Sequence, residues 1–129
     1  MVNISFYTES RYKVNRKLIR SQVKKTLKEQ KITSDVEISI SIIGDRKMKD
    51  LNKKFRNINK TTDVLSFSQL ENPFKFTSSS STKTIYLGDV VVSYPQAVTQ
   101  ASQNNILVDD EINNLVAHGL LHLLGIHHH

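Results

Sequence analysis

The sequence contains no cysteine among its 129 residues, and this absence removes several classes of functional site. Without thiols the chain cannot form disulfide bonds, thiolate zinc ribbons, cysteine nucleophiles or cysteine-bound iron–sulfur clusters. Histidine and carboxylate side chains remain for metal binding. A chain of this length can bury roughly two-thirds of the surface that it exposes when unfolded, so no metal is needed merely to stabilise it. A bound metal would therefore have a functional role.

Long apolar segments are also absent. No run approaches the ~20 apolar residues that cross a bilayer, and the start of the chain lacks the basic segment and apolar core of a secretory signal. With 38% hydrophobic and 23% charged residues, the composition predicts one globular domain over residues 1–129. We expect a soluble, cytoplasmic protein with no membrane partner.

Positive charge is scarce after residue 60. Residues 1–60 hold 16 Lys and Arg against 6 Asp and Glu, whereas residues 61–129 hold 2 against 6. The basic first half is a candidate surface for a polyphosphate such as RNA or DNA, because binding to such a polymer releases condensed counterions. Between residues 11 and 31 the same charges fit a solvated helix face equally well, so charge alone does not assign a partner.

Apolar periodicity and capping residues predict eight elements. The order β-α-β-α-β-β-α-α indicates an α/β or α+β domain, in which helices cover a central mixed sheet of about four strands. We predict strands over residues 3–7, 36–42, 64–67 and 84–92, and helices over residues 14–30, from a cap at Asp45 to Phe55, from a cap at Ser93 to about residue 104, and from Asp109 to Leu124.

Three of these elements have a clear apolar pattern. In the second strand, four aliphatic residues alternate with polar ones, which predicts a strand buried on one side only. The first two helices each repeat apolar residues at helical spacing, and these residues should face the core. The predicted inward positions are Val14, Leu18, Val23 and Leu27 in the first helix and Met48, Leu51 and Phe55 in the second.

The last predicted helix carries a histidine pair with metal-ligand spacing. His118 and His122 lie four residues apart, so their imidazoles share one face about one turn apart. Gly125 can end the helix in a left-handed turn and bring His128 back as a third ligand to one zinc or similar ion. Three protein ligands leave a position for water, whose pKa such an ion lowers to about 7, and this indicates hydrolytic chemistry.

Other interpretations of the histidines stay open. The helix is rich in leucine, so the pair could consist of core histidines bonded to backbone carbonyls. The final three histidines could belong to the native sequence, mark a truncated end or be the remnant of an affinity tag. Only the third predicted ligand, His128, depends on which of these is correct. The spacing also matches the long zinc-protease motif, but there a Glu follows the first histidine, and here Gly119 takes its place. Peptidase activity is therefore disfavoured.

A second candidate site lies between the second helix and the third strand. The planar guanidinium of Arg56 can bind a phosphate through two hydrogen bonds. Alternatively, Arg56 pairs with Asp63 or with the carboxyl end of the helix. Thr62 and Asp63 fit a structural role as turn residues that bond nearby backbone. Lys53, Lys54 and Lys60 would raise the local positive potential. Of these, Lys53 and Lys60 would contribute to substrate binding together with Arg56.

Asp89 is a further candidate because it follows Gly88 in the predicted fourth strand. One interpretation places it as a carboxylate that orients a metal-binding histidine. The other treats it as a strand-bulge residue.

Three separated segments together resemble the YbeY family of ribosomal RNA maturation factors. They are NKKFRNINKTTDVLSF, YLGDVVVS followed by a helix with Gln96 and Ala97, and HGLLHLLG with His128, within about residues 36–128. The resemblance implies a metal-dependent endoribonuclease that prefers single-stranded RNA, with the zinc ligands and an arginine important for cleavage carried over to this chain. Those positions are His118, His122 and His128 for zinc and Arg56 for cleavage.

The resemblance also implies a biological role and partners. It points to maturation of small-subunit ribosomal RNA and to ribosome quality control, with ribosomal RNA, the small subunit and its proteins as partners. Two departures accompany it. The family usually has Asp before the third histidine, where this chain has His127, and it usually continues with a further acidic helical segment.

We therefore expect a single metal-dependent hydrolase domain that cuts single-stranded RNA. One zinc ion per chain, or another transition metal that three imidazoles suit, would activate water while Arg56 stabilises charge on the phosphate. The rivals are a zinc-dependent peptidase-like hydrolase and a non-catalytic RNA-binding ribosome assembly factor. In the latter the metal is structural and has a fourth protein ligand.

Overall fold

Eight elements form the part of the chain that the computed structural model describes, residues 1–69, 71 and 84–125. Their order is β-α-β-α-β-β-α-α, as predicted, and their boundaries lie within about two residues of the predicted ones. The strands are β1 (Val2–Thr8), β2 (Val36–Ile43), β3 (Val64–Ser68) and β4 (Ile85–Ser93), and the helices are α1 (Arg16–Glu29), α2 (Asp45–Arg56), α3 (Tyr94–Asn104) and α4 (Val108–Leu123).

The four strands form one mixed sheet in the order β1-β2-β4-β3. Strands β1, β2 and β4 are parallel, and β3 lies at the edge, antiparallel to β4. The prediction that β2 is buried on one side only was wrong, because all eight of its residues are buried. Parallel neighbours flank it on both sides, and helices pack against both sheet faces, so its serines are enclosed as well as its isoleucines.

Helices α1 and α4 cover one face of the sheet and form the larger core with it. Ile38, Ile40 and Val90 point into this core. On α1 the prediction is confirmed for Val23 and Leu27 but wrong for Leu18, which is only half-buried, while Ile19 is buried instead. The buried residues Ile19, Val23 and Leu27 follow one another at intervals of four, and Leu18 lies about 100° around the helix from Ile19.

Helix α2 covers the opposite face. Alternate residues of the same strands point this way, so Ile43 and Val91 form a second, smaller core with Met48, Leu51 and Phe67.

The helix ends agree only in part with the capping predictions. Ser93 caps α3 as predicted, because its hydroxyl accepts a hydrogen bond from the Gln96 backbone N–H. Asp45 does not cap α2: the N-cap is Gly44, and Asp45 lies in the first helical turn, where its charge suits the positive end of the helix dipole. Within the described residues, no helix combines the length and apolar character needed to cross a membrane.

Candidate metal centre

The two predicted metal-binding histidines share one exposed face of α4. The ring centroids of His118 and His122 lie 4.5 Å apart, and the rings are tilted by 52°. Both side chains are exposed, so neither is a core histidine. Two imidazoles one turn apart on an open helix face are a donor set that zinc and similar ions accept. The residues present therefore fit a divalent transition metal.

The third predicted ligand, His128, lies outside the described residues, together with His127 and His129. Gly125 adopts a positive φ of 81° directly after the C-cap of α4, as the predicted left-handed turn requires. In the portion of the chain that can be described, no group of three His, Asp or Glu side chains could hold an ion. Within these residues the histidine pair therefore has no third ligand of these types.

Gly119, directly after the first histidine, is buried at the contact between α4 and the sheet. A β-carbon at this position would lie 2.7 Å from Cγ1 of Val90 and 3.3 Å from Cγ2 of Val64. This position is where zinc proteases carry their general-base Glu. A side chain at this position would displace the neighbouring valines, so the packing disfavours a carboxylate here.

Arg56 is bound on several sides at the end of α2. Its Nη1 donates to Oε2 of Glu71 at 2.6 Å, and its Nη2 donates to Oε1 of Glu71 at 3.2 Å and to the Ser66 carbonyl at 2.8 Å. The guanidinium also lies 4.8 Å from the centroid of the Phe67 ring. The Arg56 guanidinium lowers the pKa of Glu71 chiefly through this hydrogen bond. A carboxylate thus occupies the bidentate position that a phosphate could take.

Of the two structural partners predicted for Arg56, one was wrong and the other is confirmed. Asp63 does not pair with the arginine, whereas the Phe55 carbonyl at the carboxyl end of α2 does accept from Nη1. Asp63 instead accepts from the Val64 backbone N–H at 2.7 Å and from Nε2 of Gln100 at 3.0 Å. This is the predicted structural role of a turn residue.

Two of the lysines predicted near Arg56, Lys53 and Lys54, lie in the same last turn of α2, and Lys60 lies in the loop that follows. Lys53 is exposed on the helix, whereas Lys60 lines a groove with Arg46 and Lys49 near the start of α2. Ten residues separate Arg46 from Arg56, which corresponds to about 15 Å along the helix axis. The structure therefore does not gather Lys60 and Arg56 into a single cluster.

Asp89 lies on the other side of the sheet from the histidines. Val90 packs against α4, so its neighbour Asp89 points to the α2 face, where it lies opposite Phe67. Asp89 therefore cannot orient His118 or His122, and the prediction was wrong for these two histidines. The bulge interpretation is also corrected, because the register shift lies between Tyr86 and Gly88, before Asp89.

Asp89 is nonetheless an unusual residue. Its side chain is fully buried, Oδ1 accepts from the Tyr86 hydroxyl at 3.2 Å, and Oδ2 has no hydrogen-bond partner within the described structure. Burial raises the pKa of this carboxyl to about 6, and burial likewise raises the pKa of Tyr86 to about 12. The sequence carried no signal for this environment beyond the Gly-Asp pair.

Comparison with known proteins adds decisive information to this geometry. Residues 3–129 match the sequence model of a family described as Endoribonuclease YbeY. The chain belongs to the endoribonuclease YbeY family. An Endoribonuclease YbeY from Dehalococcoides mccartyi strain 195 is 43% identical over 122 residues, which cover 90% of this chain and 71% of that relative. One from Synechocystis is 44% identical over 96 residues, covering 74% of this chain and 54% of the relative.

A solved structure supports the fold. The solution structure of TM1509 from Thermotoga maritima superposes with a TM-score of 0.58, covering all of this chain and 75% of that one. At 23% identity, this likeness concerns the fold alone.

Two parts of the chain that carry the YbeY resemblance contact the edge strand β3, namely α4 through Gly119 and the end of α2 through Arg56. His118 and His122 project from α4, which passes beneath β4 and the edge strand β3 at Gly119. Arg56 reaches the backbone of β3 at Ser66 from the α2 side. Sequence reasoning missed Glu71, whose only signal was a negative charge fifteen residues after the arginine.

Proposed function

We propose that this chain cleaves single-stranded RNA in a metal-dependent reaction and that its substrate is small-subunit ribosomal RNA. By family membership the chain is an endoribonuclease, a hydrolase that acts on RNA. Metal dependence, strand preference and the ribosomal substrate are the proposed parts. The pair of exposed imidazoles on one face of α4 is the observation that best supports the metal dependence, and membership of the YbeY family supports the other two parts.

Three histidines would hold the ion in this proposal: His118, His122 and His128. When bound, a zinc-type ion supplies an activated water and polarises a phosphoryl oxygen. The contact of Gly119 with the sheet positions the helix that carries two of these ligands, His118 and His122. The protein also contributes Arg56, whose guanidinium stabilises negative charge on the phosphate.

Arg56 must exchange its partner to act in this way. The Ser66 carbonyl and the Phe67 ring hold the guanidinium in place, while Glu71 accepts hydrogen bonds from both of its terminal nitrogens. A phosphate that replaces Glu71 finds the same two N–H groups already oriented. We therefore assign Glu71 as the group that the RNA phosphate displaces.

Two observations disfavour the peptidase alternative. The packed Gly119 excludes a Glu general base next to His118. Side chains also bond the backbone of the edge strand β3, where the Val64 N–H donates to Asp63 and the Ser66 carbonyl accepts from Arg56. An extended peptide would need such backbone groups to add a strand to the sheet.

The cellular setting is part of the proposal. Family resemblance supports a cytoplasmic protein that works on the small ribosomal subunit, with contacts to its RNA and proteins. The electrostatic asymmetry supports an RNA partner, since most cations lie in the first sixty residues.

Cleavage of defined RNAs tests this function. Wild-type protein with zinc should cut single-stranded RNA faster than duplex RNA, and both His118→Ala and Arg56→Ala should lower the rate by about 10²-fold or more. Asn114→Ala serves as the matched control, because Asn114 is exposed one turn before His118 on the same face.

Each outcome has a defined meaning. Full cleavage by both site variants would refute the mechanism. RNA binding without metal-dependent cleavage by the wild type would favour a non-catalytic assembly factor. Zinc-dependent cleavage of a peptide substrate would favour the peptidase.

A further inference from the structure

A groove of about 660 Å³ lies beside the first half of α2, away from the candidate metal centre. Its size falls in the ~300–1,000 Å³ range typical of sites for small molecules. Three residues of α2 and three of the loop that follows it form the groove: Asp45, Arg46, Lys49, Asn59, Lys60 and Thr61.

The loop side of this groove is held in a defined position. Nδ2 of Asn52, which is buried on α2, donates to the Lys60 carbonyl at 2.9 Å. The backbone N–H of Ile58 donates to the Asn52 carbonyl at 3.3 Å. Thr61 then donates through its hydroxyl to Asp45 at 2.9 Å and closes the loop onto the start of the helix. These hydrogen bonds therefore fix the shape of the groove.

The acidic residue of the groove is satisfied by neutral donors. Asp45 accepts hydrogen bonds from the hydroxyls of Thr61 and Ser93, at 2.9 and 2.7 Å, and from Nε2 of Gln96 at 3.3 Å. These bonds link its carboxylate to β4, to α3 and to the loop. Asp45 forms no ion pair with a described cation, so it does not neutralise the lysines beside it by direct contact.

The three cations of the groove are exposed and available. Arg46, Lys49 and Lys60 form no ion pair with any residue in the described ranges. Positive side chains around a concave surface concentrate the electrostatic potential and attract anions.

A row of cations joins this groove to Arg56. Arg46, Lys49, Lys53 and Arg56 follow one another at intervals of three, four and three residues, so they lie on one face of α2. This face is opposite the buried residues Met48 and Leu51. An extended polyanion that contacts Arg56 can therefore follow the helix to the groove, about 15 Å away.

We propose that this groove binds a phosphate of the RNA strand, a few nucleotides from the phosphate that contacts Arg56. Lys49, Lys60 and Arg46 pair with the phosphate, and Asn59 can bond to the adjacent ribose or base. The inference rests on the proposed function, since it adds a second contact to the same strand. It predicts that the enzyme binds RNA long enough to span both positions better than shorter RNA.

The double variant Lys49→Gln/Lys60→Gln tests the groove. The matched control is Lys24→Gln/Lys28→Gln, which removes the same charge from exposed positions on α1. Both are placed in a His118→Ala background, so that the RNA is not cut during the measurement. Binding of a fluorescent single-stranded RNA long enough to span both Arg56 and the groove is followed by anisotropy over a range of salt concentrations.

We expect the groove variant to bind about tenfold more weakly and the control to change less than about twofold. Because each phosphate contact contributes about 0.7 to the slope of log K against log salt, the groove variant should also show a shallower slope. Lys49→Arg/Lys60→Arg should retain binding. Equal losses in both glutamine variants, or no loss in either, would overturn the proposal.

Two further arms separate the sources of failure. A free mononucleotide that binds the groove as tightly as the RNA would assign the groove to a nucleotide and refute a strand contact. Cleavage by the unsubstituted protein is measured separately, so a failure of the proposed function is distinguishable from a failure at the groove. Unchanged circular dichroism spectra and unfolding midpoints confirm that the variants are folded.

Discussion

A β-carbon on Gly119 would lie 2.7 Å from Cγ1 of Val90, closer than packed carbon atoms approach one another. Helix α4 therefore contacts strand β4 through a residue that has no side chain. His118 and His122 lie on the flank of the same helix, about 100° and 60° around its axis from Gly119. The contact thus determines how closely the helix that carries the two histidines packs against the sheet.

Gly119→Ala should destabilise the protein although alanine favours helices. The gain in helix propensity is about 1 kcal/mol, whereas overpacking costs about 1–3 kcal/mol. We expect a net loss of up to about 2 kcal/mol in the free energy of unfolding, measured by urea denaturation. Adding Val90→Ala should recover part of this loss, because the obstructing methyl groups are removed. If the losses of unfolding free energy from Gly119→Ala and Val90→Ala simply added in the double variant, the contact between these residues would not be the cause of the destabilisation.

Zinc should stabilise the protein through the α4 histidines. At a free concentration one hundred times the Kd, a ligand that binds only the folded state contributes about 2.7 kcal/mol. We expect the unfolding temperature to rise with zinc in the wild type and to be unchanged by zinc in His122→Ala. Asn114→Ala should respond like the wild type. A full zinc response in His122→Ala would place the ion elsewhere.

Glu71→Gln should strengthen RNA binding. Glu71 competes with phosphate for both terminal nitrogens of Arg56, so a neutral side chain leaves the guanidinium more accessible to RNA. We expect several-fold tighter binding in an anisotropy assay. Asp110→Asn is the control, because it removes one negative charge from an exposed position on α4. The same gain in both variants would indicate a general charge effect.

The stability of the protein should fall as the pH rises through the titration of Asp89. Burial raises its pKa to about 6 in the folded state, so between the unfolded and folded pKa values the unfolded chain binds fewer protons. The stabilisation that protonated Asp89 gives the folded state is fully present below the pKa of Asp89 in the unfolded chain and is lost by about pH 7. Its size is roughly 3 kcal/mol.

Asp89→Asn provides the measurement. Relative to the wild type, the variant should become progressively more stable between about pH 4 and pH 7, as followed by urea denaturation. A constant difference between the two proteins across this range would refute the raised pKa. Ser5→Ala, an exposed change on β1 that carries no titratable group, should run parallel to the wild type.

Local patterns in the sequence were sufficient for the elements and for the histidine pair. Periodicity and caps depend on residues within a few positions of one another, which is why the element order was predicted correctly. The shared face of His118 and His122 follows from helical geometry alone. Burial was predicted less well, because the enclosure of β2 on both faces depends on neighbouring strands and helices that its own alternation does not reveal.

The environment of each candidate side chain depended on contacts between distant segments. Glu71 reaches Arg56 across fifteen residues, and Asp45 reaches Gln96 across fifty-one. The side of the sheet on which Asp89 lies follows from the register of β4 beneath α4, which places it away from the histidines. Such relationships come from the packing of whole elements, whereas the chemistry of the histidine pair was already present in the spacing along one helix.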